Sequence, residues 1–221
     1  MMTRNLSLRL AVDGGMIVLL LLLMAFERVG RTAHEWLGLA LFFLFIVHHA
    51  LNRRRLQALL RGQKRATTWL TIGVMFVLAL CMIGTMVSAV LISRTVFAFL
   101  PVGSALGVGR RLHIVAVDGC FLMAGMHFGL HGRMLLTLIR QQFPRIPDGA
   151  LCGAGIFVAL YGLWAFWQSG MVDDLLLRNA FAVIDYGQSL GMFFIDRLAI
   201  FVFFAWIGHR FMQLCVRRRE G

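Results

Sequence analysis

Six of the seven histidines in this chain sit in two apolar stretches, at positions 34, 48 and 49 and at 113, 127 and 131. His34/His48 and His113/His127 repeat one pattern, H-x13-H, at a constant offset of 79 residues. Imidazole at membrane depth is costly, and its usual chemistry there is metal ligation or proton handling. On a helix, fourteen residues rise about 21 Å and turn about 1400°, four turns less about 40°, so both histidines of each pair share a face. Two such helices side by side would offer facing imidazoles at two depths, a cage for two haems. His34 would then pair with His113, and His48 with His127.

The other histidines fit that geometry less closely. His49 turns about 60° past four turns from His34, and His131 lies about 27 Å along from His113 on the same face. Both stand as alternate ligands of the inner haem, and His131 also as its hydrogen-bond or proton partner. His209 reads as interfacial. A zinc or di-iron site built from His127, His131, His48 and His49 is the sharper competitor. It leaves His34 and His113 unexplained, about 21 Å away along the helices. A different class, a proton-coupled transporter or membrane scaffold without a chromophore, also accommodates buried histidines and aspartates.

The neighbours of the histidines suit a flat macrocycle. Gly38 follows His34 by one turn, and Gly119, Gly125 and Gly129 bracket His127, clearing bulk from a porphyrin face; close helix packing is the competing use of such residues. Arg28, Arg31, Arg110 and Arg111 flank the outer pair, and Arg53, Arg54, Arg55 and Arg133 the inner pair. Arg110, Arg111 and Arg53 are candidates for propionate contacts through charge-assisted hydrogen bonds.

The elements that must carry these residues are membrane helices. Hydrophobic residues make up 60% of the chain against 14% charged, which no soluble core absorbs. The apolar segments are 11–26, 33–51, 67–92, 112–139, 150–167 and 190–215, most of them near the roughly 20 residues needed to cross a bilayer. The expected fold is an all-α integral membrane protein, a single domain over 1–221, whose six-helix bundle holds two stacked haems. Pro101, Pro144 and Pro147, the only prolines, fall between the segments. The start reads as an uncleaved first helix, because Glu27, Arg28 and Val29 stand where a small-residue cleavage site would follow.

With the N-terminus inside, 15 of the 22 Lys and Arg residues fall on the inner side, which puts both termini in the cytoplasm. The net charge of +12 is thus a topology signal and gives no ground for nucleic-acid binding. Cys81, Cys120, Cys152 and Cys215 form no C-x-x-C or C-x-x-C-H, which argues against a zinc ribbon and against covalent haem. The outer segment 168–188 holds Asp173, Asp174 and Asp185 against Arg178. It is expected to be an amphipathic surface helix over the outer haem that docks a redox partner.

At the histidine stretches the sequence resembles the bacterial flavinylation-associated membrane cytochromes. The shared elements are His34-Glu35-Trp36-Leu37-Gly38, His48 to Asn52, Arg111-Leu112-His113 and His127-Phe128-Gly129-Leu130-His131. Residues 193–200 and Trp206-Ile207-Gly208-His209 are similar to that family's last helix, so the likeness covers most of the chain from Ala33. The two ligand helices are also similar in spacing to those of the respiratory cytochrome b subunit. The resemblance implies a diheme b-type cytochrome of the bacterial inner membrane. It would pass electrons between quinones and an extracytoplasmic flavin-binding or other redox protein. A quinone site needs a protonatable group, and Asp13, Asp118, His131 and Asp196 are the candidates at or near membrane depth.

Overall fold

An apolar chain in lipid must satisfy its own backbone N–H and C=O groups, and helices do so within one segment. The computed structural model describes residues 2–100, 106–142, 145–179 and 187–217. Among the described residues there are helices and no strand. They are α1 (Met2–Met24), α2 (Phe26–Val29), α3 (Arg31–Arg61), α4 (Ala66–Ile92), α5 (Leu106–Leu130), α6 (Gly132–Gln142), α7 (Asp148–Gln168), α8 (Met171–Leu175) and α9 (Leu190–Arg217). Six helices are long and apolar enough to span a membrane, at Ser7–Met24, Arg31–Arg61, Ala66–Ile92, Leu106–Leu130, Gly149–Gln168 and Leu190–Val216. Pro101, Pro144, Asp185 and the apolar Phe181 and Val183 of the outer segment lie outside the described residues.

Several boundaries differ from the expected ones, and the end of α3 and the break after α5 bear most on the histidines. α3 runs ten residues beyond Leu51 to Arg61. The arginines at 53–55 end the apolar stretch, yet arginine is a good helix former, so charge marks the edge of the membrane and not the end of the helix. The expected helix 112–139 is two helices. α5 stops at Leu130, His131 occupies a turn with its N–H donated to the Phe128 carbonyl at 3.1 Å, and α6 begins at Gly132. α6 is strongly amphipathic, as suits a helix lying in an interface.

The chain divides into two compact units, residues 1–63 with 86–109 and residues 64–85 with 110–221, one cut falling between α3 and α4 and the others within α4 and α5. In the first unit α1 lies antiparallel to α3. Arg9 Nη2 donates to the Leu51 carbonyl at 3.0 Å, Asp13 meets His48, and a Cβ on Gly15 would touch Leu44 at 3.5 Å. The reversal passes through α2 and Gly30, whose φ of 81° with ψ of 156° is a conformation that essentially only glycine adopts.

The second unit is built on close approach of backbones. A Cβ added to Gly125, Gly129 or Gly162 would collide with the carbonyls of Phe201, Ala205 or Ala199 on α9, and one on Gly208 with the Met126 carbonyl on α5. Lipid supplies no hydrophobic drive between helices, so small residues that allow tight dispersion contact do that work. Phe121 and Ile200 have no exposed surface, and the rings of Phe121 and Phe128 lie 5.8 and 5.7 Å from that of Phe201. All four cysteines are free.

Candidate functional site

The histidine helices bring their ligand candidates to the two units separately. His34, His48 and His49 belong to the first unit, and His113, His127 and His131 to the second.

In the first unit His48 Nδ1 donates to Asp13 Oδ1 at 2.6 Å. This leaves the imidazole lone pair on Nε2, the carboxylate–histidine arrangement that orients metal-ligating imidazoles and raises their basicity. Asp13, one of the four candidate proton carriers for a quinone, is thus the hydrogen-bond partner of His48. His49 Nδ1 donates to the Phe45 carbonyl of its own helix at 2.9 Å, with the Phe45 ring 4.2 Å away. The two adjacent histidines therefore share a tautomer and differ in partner, and their rings meet edge-on at 5.4 Å. Near the other end of α3, His34 packs edge-on against Phe26 at 5.0 Å and faces the Leu23 carbonyl. An imidazole that gives one N–H to a carbonyl keeps a lone pair on its other nitrogen. A Cβ on Gly38 would meet nothing within 4 Å, so one turn along from His34 there is open space.

Glu35 has a role that composition and spacing did not reveal. Its carboxylate accepts from the backbone N–H groups of Arg94, Thr95 and Val96 at 2.9–3.0 Å and from the Ser93 hydroxyl at 2.7 Å. It thereby fixes the segment that follows α4 beside the start of the histidine helix. The usable signal was a carboxylate inside an apolar run, since an ionised group there requires partners.

Arg53 lines a cavity of about 290 Å³ with Arg9, Ala50, Leu51 and Arg54.

In the second unit His113 and His127 are half-buried, and His131 is exposed in the turn after α5. The His127 and His131 rings meet edge-on at 5.3 Å. Gly129, expected to clear a macrocycle face, is packed on Ala205, and Gly125 on Phe201; Gly119 faces Cys81 Sγ at 3.0 Å. Helix packing, the competing use, accounts for all three. Arg110 and Arg111 are exposed.

The remaining proton candidates form a polar group in this unit. Asp196 accepts from the Tyr161 hydroxyl and from Gln188 Nε2, the latter at 2.6 Å. Asp118 on α5 interacts electrostatically with Asp174 on α8 and Arg197 on α9, and its Oδ2 is buried with no hydrogen-bond partner among the described residues. Two of the three aspartates of the outer segment lie among the described residues. Asp174 is buried and accepts from Asn179 at 2.8 Å, while Asp173 is paired with Arg178 at 3.0 Å. Burial pushes the Asp174 carboxyl up from its ordinary value, against the Asn179 hydrogen bond and the Arg197 charge that pull it down.

Among the described residues of either unit, no three histidine, cysteine or carboxylate side chains are grouped to hold a metal ion. A haem asks for only two axial side chains, and the oriented His48 fits that demand. Comparison with protein-family models, with curated proteins and with solved structures finds no match to this chain.

Proposed function

We propose that this chain is a multi-pass b-type cytochrome of the bacterial inner membrane, with both termini in the cytoplasm. It binds two haems b non-covalently, with His34 and His113 as axial ligands of one and His48 and His127 of the other. It carries electrons between the quinone pool and an extracytoplasmic flavin-binding or other redox partner. The observation that carries the reading is the H-x13-H repeat on two membrane helices, supported by the Asp13 carboxylate that fixes the tautomer of His48. The pairing rests on the equal spacing of the two motifs.

Haem b, when bound through two imidazoles, supplies one-electron exchange at an iron closed to substrate. The chain's own residues do the placing. Asp13 holds the His48 ring with its lone pair on Nε2, Glu35 secures the segment beside His34, and Gly38 leaves space one turn along. Arg110, Arg111 and Arg53 offer guanidinium groups to propionates. His49 and His131 are the alternates if the inner ligand set is shifted.

The buried Asp118, with Arg197 and Asp174 about it, favours a second reading, a proton-carrying membrane protein without a chromophore. A reduced-minus-oxidised optical spectrum separates the two at once. Two haems per chain, all extractable into acid acetone, are expected. A stoichiometry near one or zero, or pigment left on the chain, defeats the cytochrome reading.

A further inference from the structure

The first unit holds a basic cluster at the contact of α1 with α3. The cavity between α1 and α3 is lined by Arg9, Arg53 and Arg54 with Ala50 and Leu51, and no carboxylate lines it. Arg9 is held by one bond, Nη2 to the Leu51 carbonyl at 3.0 Å, while its Nε is buried and finds no acceptor among the described residues. A buried donor left unpaired costs about 1–3 kcal/mol, and clustered guanidinium groups add repulsion, so an anionic oxygen at this place would relieve both.

The position selects which anion. Arg9 is the third residue of the apolar stretch Ser7–Met24, and Arg53 and Arg54 come directly after the apolar part of α3. Both sides of the cavity therefore lie where hydrocarbon gives way to charge, the depth of lipid phosphates. Leu8 and Leu10 beside Arg9 are about half exposed, at 49% and 50%, and offer a surface for acyl chains. The volume is at the lower end of the roughly 300–1,000 Å³ of small-ligand clefts, enough for a headgroup but not for a whole lipid.

We propose that the Arg9–Arg53–Arg54 cavity binds the phosphate of an anionic phospholipid headgroup, with Arg9 Nε and the two α3 guanidinium groups as donors. The site ties α1 to α3 through the lipid as well as through the Leu51 carbonyl; Arg53 then serves the lipid in place of a propionate, and Arg9 and Arg54 have no part in holding haem.

The test is native mass spectrometry of the whole purified protein, haem content intact, freed of lipid and titrated with short-chain phosphatidylglycerol, phosphatidylcholine and inorganic phosphate. One tight phosphatidylglycerol is expected, at least about fivefold tighter than phosphatidylcholine, with inorganic phosphate much weaker than either. Arg9→Gln should remove most of that preference, and Arg54→Gln, which leaves the Arg9–Leu51 bond in place, should weaken it about fivefold. Arg61→Gln, an exposed arginine further along α3, should leave it unchanged. Equal binding of the two lipids, tight binding of free phosphate, or an equal loss in Arg61→Gln overturns the proposal. So does phosphatidylglycerol that binds only after haem has been extracted, because the cavity would then belong to a propionate.

Discussion

The two histidine helices carry the same spacing but are held by different forces. α3 is fixed by polar contacts at its rims: Asp13 on His48, Glu35 on the backbone after α4, and Arg9 on the Leu51 carbonyl. Only Leu41 along its length is buried, and Gly38 faces open space. α5 is fixed by backbone proximity instead, with Gly125 and Gly129 against α9 and Ala116, Cys120, Phe121 and Leu122 buried. A repeated motif thus says which side chains recur and not what surrounds them. On α3 a carboxylate orients one histidine ring, while on α5 the backbone that carries the histidines is fixed by its packing against α9.

The strongest way to break this contrast is to enlarge a glycine on each helix. Gly129→Val should cost about 3 kcal/mol or more, because its side chain must displace the Ala205 backbone. Gly38→Ala should change stability by under about 1 kcal/mol, because its Cβ meets nothing. Thermal unfolding of the detergent-solubilised protein checks both. A Gly129→Val protein that melts like the parent but loses haem would return that glycine to the cofactor.

Next in size is the rim of α3. Glu35→Ala should cost about 2 kcal/mol, the worth of hydrogen bonds to a charged group at a partly exposed site. Hydrogen exchange should speed up at the amides of Arg94, Thr95 and Val96 and nowhere on α5. Unchanged exchange at those amides would mean that the carboxylate is not what holds them.

The Asp13–His48 bond allows a sharper test. Asp13→Ala should weaken retention of one haem about tenfold to a hundredfold, and Asp13→Asn, which keeps an acceptor for Nδ1–H, should do less. Haem per chain after dilution measures this. If His49→Ala loses the haem and neither Asp13 variant does, His49 is the ligand and the carboxylate is incidental.

The smallest effect belongs to the second unit's own buried acid. The folded state raises the Asp174 pKa through burial, so the neutral form is favoured and this group's contribution is fully present only below the unfolded value, about 3.9, and is lost as pH rises through the folded value. Asp174→Asn keeps the acceptor for Asn179 and should stabilise the protein by about 1 kcal/mol or less at neutral pH, with the gain vanishing in acid. Melting curves across pH would show it. A variant less stable than the parent at every pH would mean that the charge itself is needed beside Arg197.

Six apolar stretches were legible because the bilayer sets length and composition together, and all six appear as helices. Helix ends were not. The membrane edge at Arg53 looks like a stop in hydropathy, yet the helix continues to Arg61; the break at His131 was hidden because amphipathic α6 keeps the apolar count high. The site was legible only in its residue types. That His48 and Asp13 meet 35 residues apart, or that Glu35 reaches residues 93–96, depends on how helices are paired, which periodicity does not encode. The glycines around His127 showed that something approaches closely, and only the fold showed that it is α9.

The Glu35 clamp also bears on how the protein is made. Its partners lie 58 to 61 residues further along the chain. Until residues 93–96 have been made, water takes the place of those amides, and a hydrated carboxylate resists being drawn into hydrocarbon. Only after α4 has been synthesised can the residues that follow it close over the charge. The residue next to His34 therefore keeps that end of the helix waiting at the water's edge until the returning helix arrives, and the surroundings of the first histidine are completed late in biogenesis even though α3 is made early.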